Sequence, residues 1–375
     1  MPSGATLAVL STGLAGLVGF AAAHGGICAV RAVEDLFDGR GGGLFLAFLK
    51  CSIWVAAITL PLSWAMVPGA HIASAAPLAW PVAAGGFLFG VGAALNGGCA
   101  FSMISHLGAG DSGQLCTLFG LGLGFALHDA WIGPLVPPAA PQPGPLARPE
   151  AWSLVLLAAA WFWTAREALR LRRFAPSART DRTMAVVGLA SAVLYAIHGP
   201  WMYTASLAQG AVWAKGGAAP SAPLLLLSAG ALAGAALAAW VRGRFRPRRP
   251  RLGPALRGLA GGALMGVGAA MVPGGNDALV LHGLPALLPH AALAYAALVA
   301  GAACVLSLLR AFKAFARRRG LPGCPRESKP SWETSKAGAP TDNGGQAPPR
   351  QPGQSFRSRW ASAFGPSSLA PFGGT

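Results

Sequence analysis

Nine long apolar segments constrain the fold of this 375-residue chain more than any other feature. Each is close to the roughly 17–25 residues that an α-helix needs to cross a lipid bilayer. Only 11% of the residues are charged, against roughly 25% in soluble domains. The sequence therefore predicts an all-α, polytopic membrane protein with about nine transmembrane helices. The segments are residues 6–24, 44–67, 79–96, 114–135, 150–168, 183–203, 221–241, 256–273 and 287–309.

The positions of the basic residues orient the predicted helices. The formal net charge is +17, and most Lys and Arg residues fall in segments 165–182, 242–257 and 310–375. These segments lie between or just beyond apolar runs, where the positive-inside rule places cytoplasmic loops. We therefore expect a multi-pass protein of a bacterial inner membrane, with its N-terminus outside and its C-terminus in the cytoplasm. Since no aromatic and basic recognition motif accompanies the charge, the expected partner is the lipid bilayer and not nucleic acid.

Composition also predicts the organisation of the chain. We expect a first membrane half at 1–164, a cytoplasmic basic loop at 165–182, a second membrane half at 183–311 and a disordered basic cytoplasmic tail at 312–375. From about Leu321 onward the chain is rich in Pro, Gly, Ser and Arg and has no apolar period, which is typical of disorder.

A self-match at a fixed offset along the chain indicates an internal repeat. Residues Gly85–Ala94 match Gly261–Ala270, and we call the shift that carries Gly85 onto Gly261 the repeat offset. By the predicted topology the two copies cross the membrane in opposite directions, so the repeat is inverted. Such repeats place substrate sites near the bilayer midplane, where helices are interrupted. The repeat offset aligns two further pairs, Gly98 with Gly274 and His106 with His282.

Each copy ends in a glycine-containing break, which predicts short broken or re-entrant helices. One break covers residues 96–99 and the other residues 273–277, with weaker echoes at residues 24–28 and 198–203. Unpaired N–H groups and the helix dipole attract an anion to a helix N-terminus that begins at such a break.

At these breaks the sequence resembles the YeeE/YedE family of sulphur-transport membrane proteins, which includes bacterial thiosulfate transporters. The likeness lies in Gly85–Ser102, with Gly-Gly-Cys at its centre, in His24–Leu36 and in Gly261–Asp277, and it extends over residues 10–310. It implies an inner-membrane transporter or channel for a small sulphur-containing anion, thiosulfate or a related species, with no enzymatic activity and no cofactor.

The resemblance also implies a pathway in which thiols contact the anion by weak hydrogen bonds without covalent turnover. Cys28 and Cys99 are the matching thiols, whereas the second half lacks the corresponding cysteines and offers Tyr203 and Asn276 instead. Neutral donors at several weak sites suit the passage of an anion better than a fixed positive charge. The predicted pathway residues are Cys28, Cys99, Gly25, Gly26, Asn96, Gly97, Gly98, Gly274, Gly275, Asn276, Tyr203, His106 and His282.

Other polar residues have two interpretations each. His106 and His282 could gate protons or donate to an anion, or could cap helix ends. Asp129 is an intramembrane charge and so a functional candidate, or a structural residue that faces water. Asp111 and Asp277 follow breaks and are interpreted as residues that fix loop geometry. The six cysteines have no spacing that suits zinc, so no metal site is expected.

Two alternative functions remain open. A membrane thiol-redox relay would use Cys28 and Cys99, which would then have to approach within disulfide distance. A membrane anchor for a cytoplasmic sulphur-carrier protein would use the arginine-rich loops as its docking surface. Loss of uptake when Cys99 is substituted would favour conduction over the anchor.

Overall fold

The computed structural model describes residues 4–39, 41–65, 72–135, 142–172, 179–272 and 274–319. Within these ranges the regular structure is helical, apart from two isolated bridge pairings, Ala75 with Gln142 and Asp111 with Arg248. The predicted all-α class is therefore confirmed. The chain forms two units, residues 1–306 and residues 307–375. In the second unit, the described residues continue the last helix and end at residue 319.

Nine long α-helices and four short ones follow one another along the described chain. Six helices precede Ala151: α1 (Gly4–Gly25), α2 (Ala29–Phe37), α3 (Gly43–Trp64), α4 (Trp80–Asn96), α5 (Ala100–Gly108) and α6 (Gly113–Leu127), which continues as a π-helical turn (His128–Ile132). The others are α7 (Ala151–Arg172), α8 (Arg179–His198), α9 (Tyr203–Trp213), α10 (Ala222–Val241), α11 (Leu252–Met271), α12 (Asn276–Ala278) with a π-helical turn (Leu279–Gly283), and α13 (Pro289–Arg318).

Each of the nine predicted apolar segments coincides with a long helix in the described ranges. A helix satisfies its own backbone hydrogen bonds, so apolar segments of this length adopt it in lipid. Among the described residues, seven helical segments are long and apolar enough to cross a membrane, and the bent pair of α11 with Asn276–Gly283 gives an eighth. The protein is thus a multi-pass membrane protein with seven to eight candidate spans. α7 is not among them, and its last two turns carry Arg166, Glu167, Arg170 and Arg172.

Two helices extend into the segment predicted as a basic loop. Residues 165–172 belong to α7 and residues 179–182 to α8, while residues 173–178 lie outside the described residues. α13 likewise continues to Arg318, beyond the predicted start of the tail. The remainder of the predicted tail, residues 320–375, lies outside the described residues.

The order of the helices repeats along the chain. α1 to α6 and α8 to α13 form two series in which long and short helices follow in the same order, and α7 lies between the series. The short helices that follow breaks are α2 and α5 in the first series and α9 and α12 in the second. The repeat offset also relates the starts of corresponding helices, for example α6 at Gly113 and α13 at Pro289.

Glycines bring α4 and α11 into backbone contact at two places. A Cβ atom built on Gly92 would lie 2.5 Å from the Gly261 oxygen, and one on Gly261 would lie 2.7 Å from the Gly92 oxygen. A Cβ atom on Gly85 would lie 2.9 Å from the Gly268 oxygen, and one on Gly268 would lie 2.4 Å from the Gly85 oxygen. Since the first part of α4 meets the last part of α11, the two helices run antiparallel. Small residues permit such close approach in membrane proteins.

The same kind of contact attaches one further helix to each of these two. A Cβ atom on Gly86 of α4 would lie 2.3 Å from the Ala294 oxygen of α13. A Cβ atom on Gly262 of α11 would lie 2.3 Å from the Thr117 oxygen of α6. The antiparallel pair of α4 and α11 therefore lies between α13 and α6, and all these contacts depend on the absence of a side chain.

We predict that Gly92→Ala destabilises the protein and that Gly122→Ala does not. The new methyl group at position 92 would meet the Gly261 oxygen and, at 2.7 Å, the Met265 nitrogen, both of which are backbone atoms. Overpacking of this kind costs roughly 1–3 kcal/mol, so the thermal unfolding midpoint in detergent should fall by several degrees. At position 122 nothing lies within 4 Å of the added atom. Equal midpoints for the two variants would contradict the close packing.

Candidate functional site

Cys28 and Cys99 each occupy the position directly before a short helix, and the structure places them side by side. Cys28 is the N-cap of α2 and Cys99 the N-cap of α5, both in extended conformation. The Ala29 N–H donates a hydrogen bond to the sulphur of Cys99 over 3.2 Å. Because Ala29 follows Cys28 directly, this bond joins the two breaks. The cysteines are 8% and 0% exposed, and neither forms a disulfide.

Asn96 fixes the break that leads to Cys99. Gly97 ends α4 in the left-handed region, with φ 79°. The Asn96 Nδ2 group donates to the Gly98 oxygen over 3.0 Å, and Asn96 Oδ1 accepts from the Thr117 hydroxyl over 2.8 Å. Both polar atoms of Asn96 are thus engaged within the protein, so in this structure Asn96 anchors the break.

Two glycines form the break that leads to Cys28. Gly25 is the last residue of α1, and a Cβ atom there would lie 2.4 Å from Cγ2 of Thr183 in α8. Gly26 is exposed and has φ 64°, a conformation that favours glycine. The chain can therefore turn from α1 towards α2 while α1 stays packed against α8.

The second-half break ends in a buried pair of polar residues. Gly274 has φ 100°, and Gly275 is the N-cap of α12. Asn276 is 0% exposed and Asp277 is 1% exposed. Neither polar side-chain atom of Asn276 has a hydrogen-bond partner among the described residues. The amide of Asn276 is therefore buried without a hydrogen bond to another described residue.

α9 connects this break to the cysteines. The Tyr203 hydroxyl donates to the oxygen of Ala100, the residue after Cys99, over 2.8 Å. The next residue, Thr204, donates from its hydroxyl to Oδ2 of Asp277 over 2.8 Å. The starts of α2, α5, α9 and α12 are thus linked in sequence by hydrogen bonds. We call these residues the central cluster: Cys28, Cys99, Tyr203, Thr204, Asn276 and Asp277.

A cavity of about 290 Å³ reaches the central cluster from one side. Thr204, Gly275 and Asp277 line its inner part, and His128 and Asp129 belong to its lining as well. Its volume is near the lower end of those typical of small-molecule sites, roughly 300 Å³. We call it the Asp277 cavity. Asp129 also forms an ion pair of 3.3 Å with Lys215, so this predicted functional candidate lies at the cavity with a cationic partner.

Basic residues surround the end of α1. Nε2 of His24 lies 3.0 Å from Nη2 of Arg179, and the Arg242 guanidinium donates to the His24 carbonyl. Arg31 reaches Gly26. We call His24, Arg31, Arg179 and Arg242 the His24 cluster. It lies where α8 begins, whereas the Asp277 cavity is lined by Pro200, just beyond the end of α8.

The two predicted histidines lie away from the thiols. His106 is in the last turn of α5, and Cys99 precedes the first turn. At 1.5 Å per residue the backbone separation is roughly 10 Å. His282 stacks on Tyr195 with 4.8 Å between ring centroids, and Tyr195 lines the Asp277 cavity. His282 therefore contacts a residue that lines this cavity.

Sequence reasoning missed Thr204 and interpreted Asp277 as a loop residue. The repeat offset could have identified Thr204, because it aligns Cys28 with Thr204 and Cys99 with Gly275. A hydroxyl and a glycine thus occupy the positions that correspond to the two thiols. The contact of Thr204 with Asp277 depends on the meeting of α9 and α12, which the local sequence does not encode.

Interrupted helices, a buried polar centre and a multi-pass helical fold are together the features of a membrane transporter. The chain matches the family model described as Sulphur transport over residues 24–304, about three quarters of its length. It therefore belongs to the YeeE/YedE sulphur-transport family. No curated protein gives a significant match.

We predict that Thr117→Val destabilises the protein and that Thr59→Val does not. The first change removes the hydroxyl that donates to Asn96, which leaves a polar atom at the break without its partner. A hydrogen bond of this kind contributes about 1 kcal/mol. The Thr59 hydroxyl is buried and has no partner among the described residues, so its replacement should be neutral or stabilising. Thermal unfolding in detergent measures both, and the reverse order would contradict the anchoring role of Asn96.

Proposed function

We propose that the protein is an inner-membrane transporter or channel for a small sulphur-containing anion, thiosulfate or a related species, which passes through the central cluster. The observation that carries this proposal is the contact of Ala29 with Cys99, since it joins two buried thiols at the starts of two short helices. Membership of the sulphur-transport family supports the class of substrate.

The donors at the cluster suit a dehydrated anion. Thiol, amide and backbone N–H groups are neutral, and helix N-termini add a partial positive charge. Asn276 has no hydrogen-bond partner among the described residues, whereas the Tyr203 hydroxyl already donates to Ala100. We therefore assign Asn276 as the principal second-half donor. Tyr203 takes a secondary role, because an anion would have to compete with a carbonyl for its proton.

We propose a route from the Asp277 cavity to the His24 cluster. The anion enters the cavity, passes Asn276, reaches Cys99 and Cys28, and leaves towards the His24 cluster. The hydrogen bonds from Tyr203 to Ala100 and from Thr204 to Asp277 support this order, because they connect the cavity to the thiols. Arginines at the far end favour the arrival of an anion without holding it at the centre.

The contacts of α7 support nine crossings. Trp64 of α3 donates to the Leu146 oxygen just before α7. Within α7, Trp161 donates to the Ala57 oxygen over 2.8 Å, and Glu167 accepts from Lys50 over 3.2 Å. α7 thus runs beside almost the whole of α3, which is a candidate span. We propose that α7 crosses the membrane as well, with its ion-paired last turns at the cytoplasmic face.

Reciprocal glycine contacts support the inverted repeat. The repeat offset carries Gly85 onto Gly261 and Gly92 onto Gly268. Gly85 is in contact with Gly268, and Gly92 is in contact with Gly261. Such an exchange is what a two-fold axis between antiparallel α4 and α11 would produce. We propose that the two helical series are inverted copies and that α7 connects them.

A thiol-redox relay is a second candidate, because Cys28 and Cys99 are adjacent. On this alternative their thiols would change oxidation state during turnover, and a gel-shift assay of free thiols would detect the change.

A cytoplasmic sulphur-carrier protein is a proposed partner at the basic segment 242–257, on the same side as the His24 cluster.

We predict that Cys99→Ala and Cys28→Ala each reduce uptake of radiolabelled thiosulfate by about tenfold or more. Each change removes a thiol donor to the anion. A hydrogen bond to a charged group contributes roughly 1.5–3 kcal/mol, and about 1.4 kcal/mol corresponds to tenfold. The measurement uses cells that lack other sulphur importers.

Cys51→Ala is the matched control, because Cys51 is buried within α3 and forms no disulfide. It should retain uptake. Cys99→Ser should also reduce uptake, since it replaces the thiol that contacts the anion on the proposed route. Unchanged uptake in both Cys99 variants would refute conduction through the cluster, and loss of carrier binding in the same variants would favour the anchor.

We predict opposite accessibilities for Lys215→Cys and Arg249→Cys. Both positions are exposed, and the proposed topology places residue 215 outside and residue 249 in the cytoplasm. In a background with Cys304 and Cys324 replaced by Ser, an impermeant maleimide applied to intact spheroplasts should label residue 215 alone. Inverted vesicles should give the opposite result. Labelling of both residues from one side would refute the topology.

A further inference from the structure

Asp277 differs from the other members of the central cluster because it is an acid buried in a membrane protein. It is 1% exposed, and only its Oδ2 atom is bonded to another side chain, the Thr204 hydroxyl. Its Oδ1 atom has no hydrogen-bond partner among the described residues. Intramembrane acids are costly and are therefore functional candidates.

Asp277 has no strongly basic neighbour in the described lining of its cavity. Among the residues that the structure describes, the lining of the Asp277 cavity contains neither lysine nor arginine. A carboxylate without a cationic partner is disfavoured at such a site, and a buried acid relieves the cost when it binds a proton. The carboxyl group lines the Asp277 cavity, whose volume of about 290 Å³ is large enough for several water molecules.

Several titratable groups face Asp277 from the elements around it. The Tyr195 hydroxyl has no partner among the described residues, and its ring stacks on His282. Tyr203 precedes the Thr204 that bonds the acid, and it donates to Ala100. The groups that belong to these elements and to the cavity are Tyr195 of α8, Tyr203 of α9, His282 of the π-helical turn after α12, and His128 and Asp129 of the π-helical turn after α6.

We propose that Asp277 binds the proton that accompanies the anion, so that the protein is a proton–anion symporter. This inference rests on the proposed function and adds the source of energy to it. Thr204 holds one oxygen in place, and the unpartnered Oδ1 accepts a proton from water in the Asp277 cavity.

The coupling follows from repulsion between like charges. While Asp277 is ionised it repels a dianion that approaches Asn276. Once the carboxylate has bound a proton, the anion can enter and proceed to the thiols. When the anion has left, Asp277 releases the proton to the opposite side. No covalent bond of the anion is formed or broken. One proton crosses the membrane each time Asp277 binds a proton from one side and releases it to the other.

The test uses the full-length protein in liposomes with radiolabelled thiosulfate. Equal potassium on both sides with valinomycin removes the membrane potential, and the outside is made one pH unit more acidic. With one proton per anion the wild type should accumulate thiosulfate about tenfold, since a pH unit is a tenfold ratio of protons. A sodium gradient without a pH gradient should give no accumulation.

Asp277→Asn keeps a neutral group at this position. It should still exchange labelled for unlabelled thiosulfate, yet it should no longer accumulate thiosulfate in response to the pH gradient. Glu167→Gln is the control, since Glu167 is also a buried acid but is paired with Lys50 and lies in α7, outside the proposed route. It should accumulate thiosulfate as the wild type does. Asp277→Ser is the second neutral variant for the case in which Asn abolishes exchange.

The outcomes separate this inference from the proposed function. A wild type that neither exchanges nor accumulates thiosulfate would refute the transport of thiosulfate itself. If it exchanges thiosulfate but accumulates it only with sodium, or if both Asp277 variants still accumulate, the role of Asp277 is refuted. A pH dye inside wild-type liposomes gives a further test that needs no variant. Thiosulfate influx must acidify the interior, and influx without acidification would overturn the proposal.

Discussion

A chain that interrupts its helices inside a membrane must find partners for the backbone groups that it exposes, and the rest of this structure depends on that requirement. At the first-half breaks the partners are side chains. Asn96 bonds the Gly98 carbonyl, and the Cys99 sulphur accepts from the Ala29 N–H. Cys99 is thus part of the fold, because its sulphur accepts a backbone hydrogen bond. On the proposed function the same uncharged group also contacts the ligand, which suits a site where a fixed charge would hold an anion too firmly.

The meeting of the four short helices depends on how closely the long ones approach. α4 and α11 touch at Gly92 and Gly261 with no side chain between them. Yet the two series differ in chemistry, because Thr204 and Gly275 stand where the repeat offset would place the counterparts of Cys28 and Cys99. The thiols of the first half are neutral donors, whereas the second half holds an ionisable acid beside an amide. The two series of helices therefore place chemically different groups at corresponding helix starts.

The sequence alone predicts the long helices within a few residues, because hydropathy along the chain decides which segments enter lipid. It also predicts the breaks, since glycine is needed where Gly97 and Gly274 adopt positive φ. It does not reveal which helix starts meet. Asn96 is predicted as a pathway residue, but the sequence does not reveal its hydrogen bond with Thr117, which lies 21 residues away. The environment of Asp277 likewise depends on Thr204, from a helix far away in the sequence. Such contacts are set by tertiary packing.

The distribution of charge gives the proposed route a direction. Arginines lie at the His24 cluster, uncharged donors lie at the thiols, and an acid lies beside the Asp277 cavity. Two unit charges 4 Å apart interact by about 4 kcal/mol at an effective dielectric constant of about 20. On the proposal made above, an ionised Asp277 would thus oppose a dianion by several kcal/mol. A neutral Asp277 would not oppose the dianion. The distant arginines would attract the anion whether Asp277 is ionised or neutral. The protonation of one carboxyl group would then determine whether the route is open from the cavity, with no need for a cation at the centre.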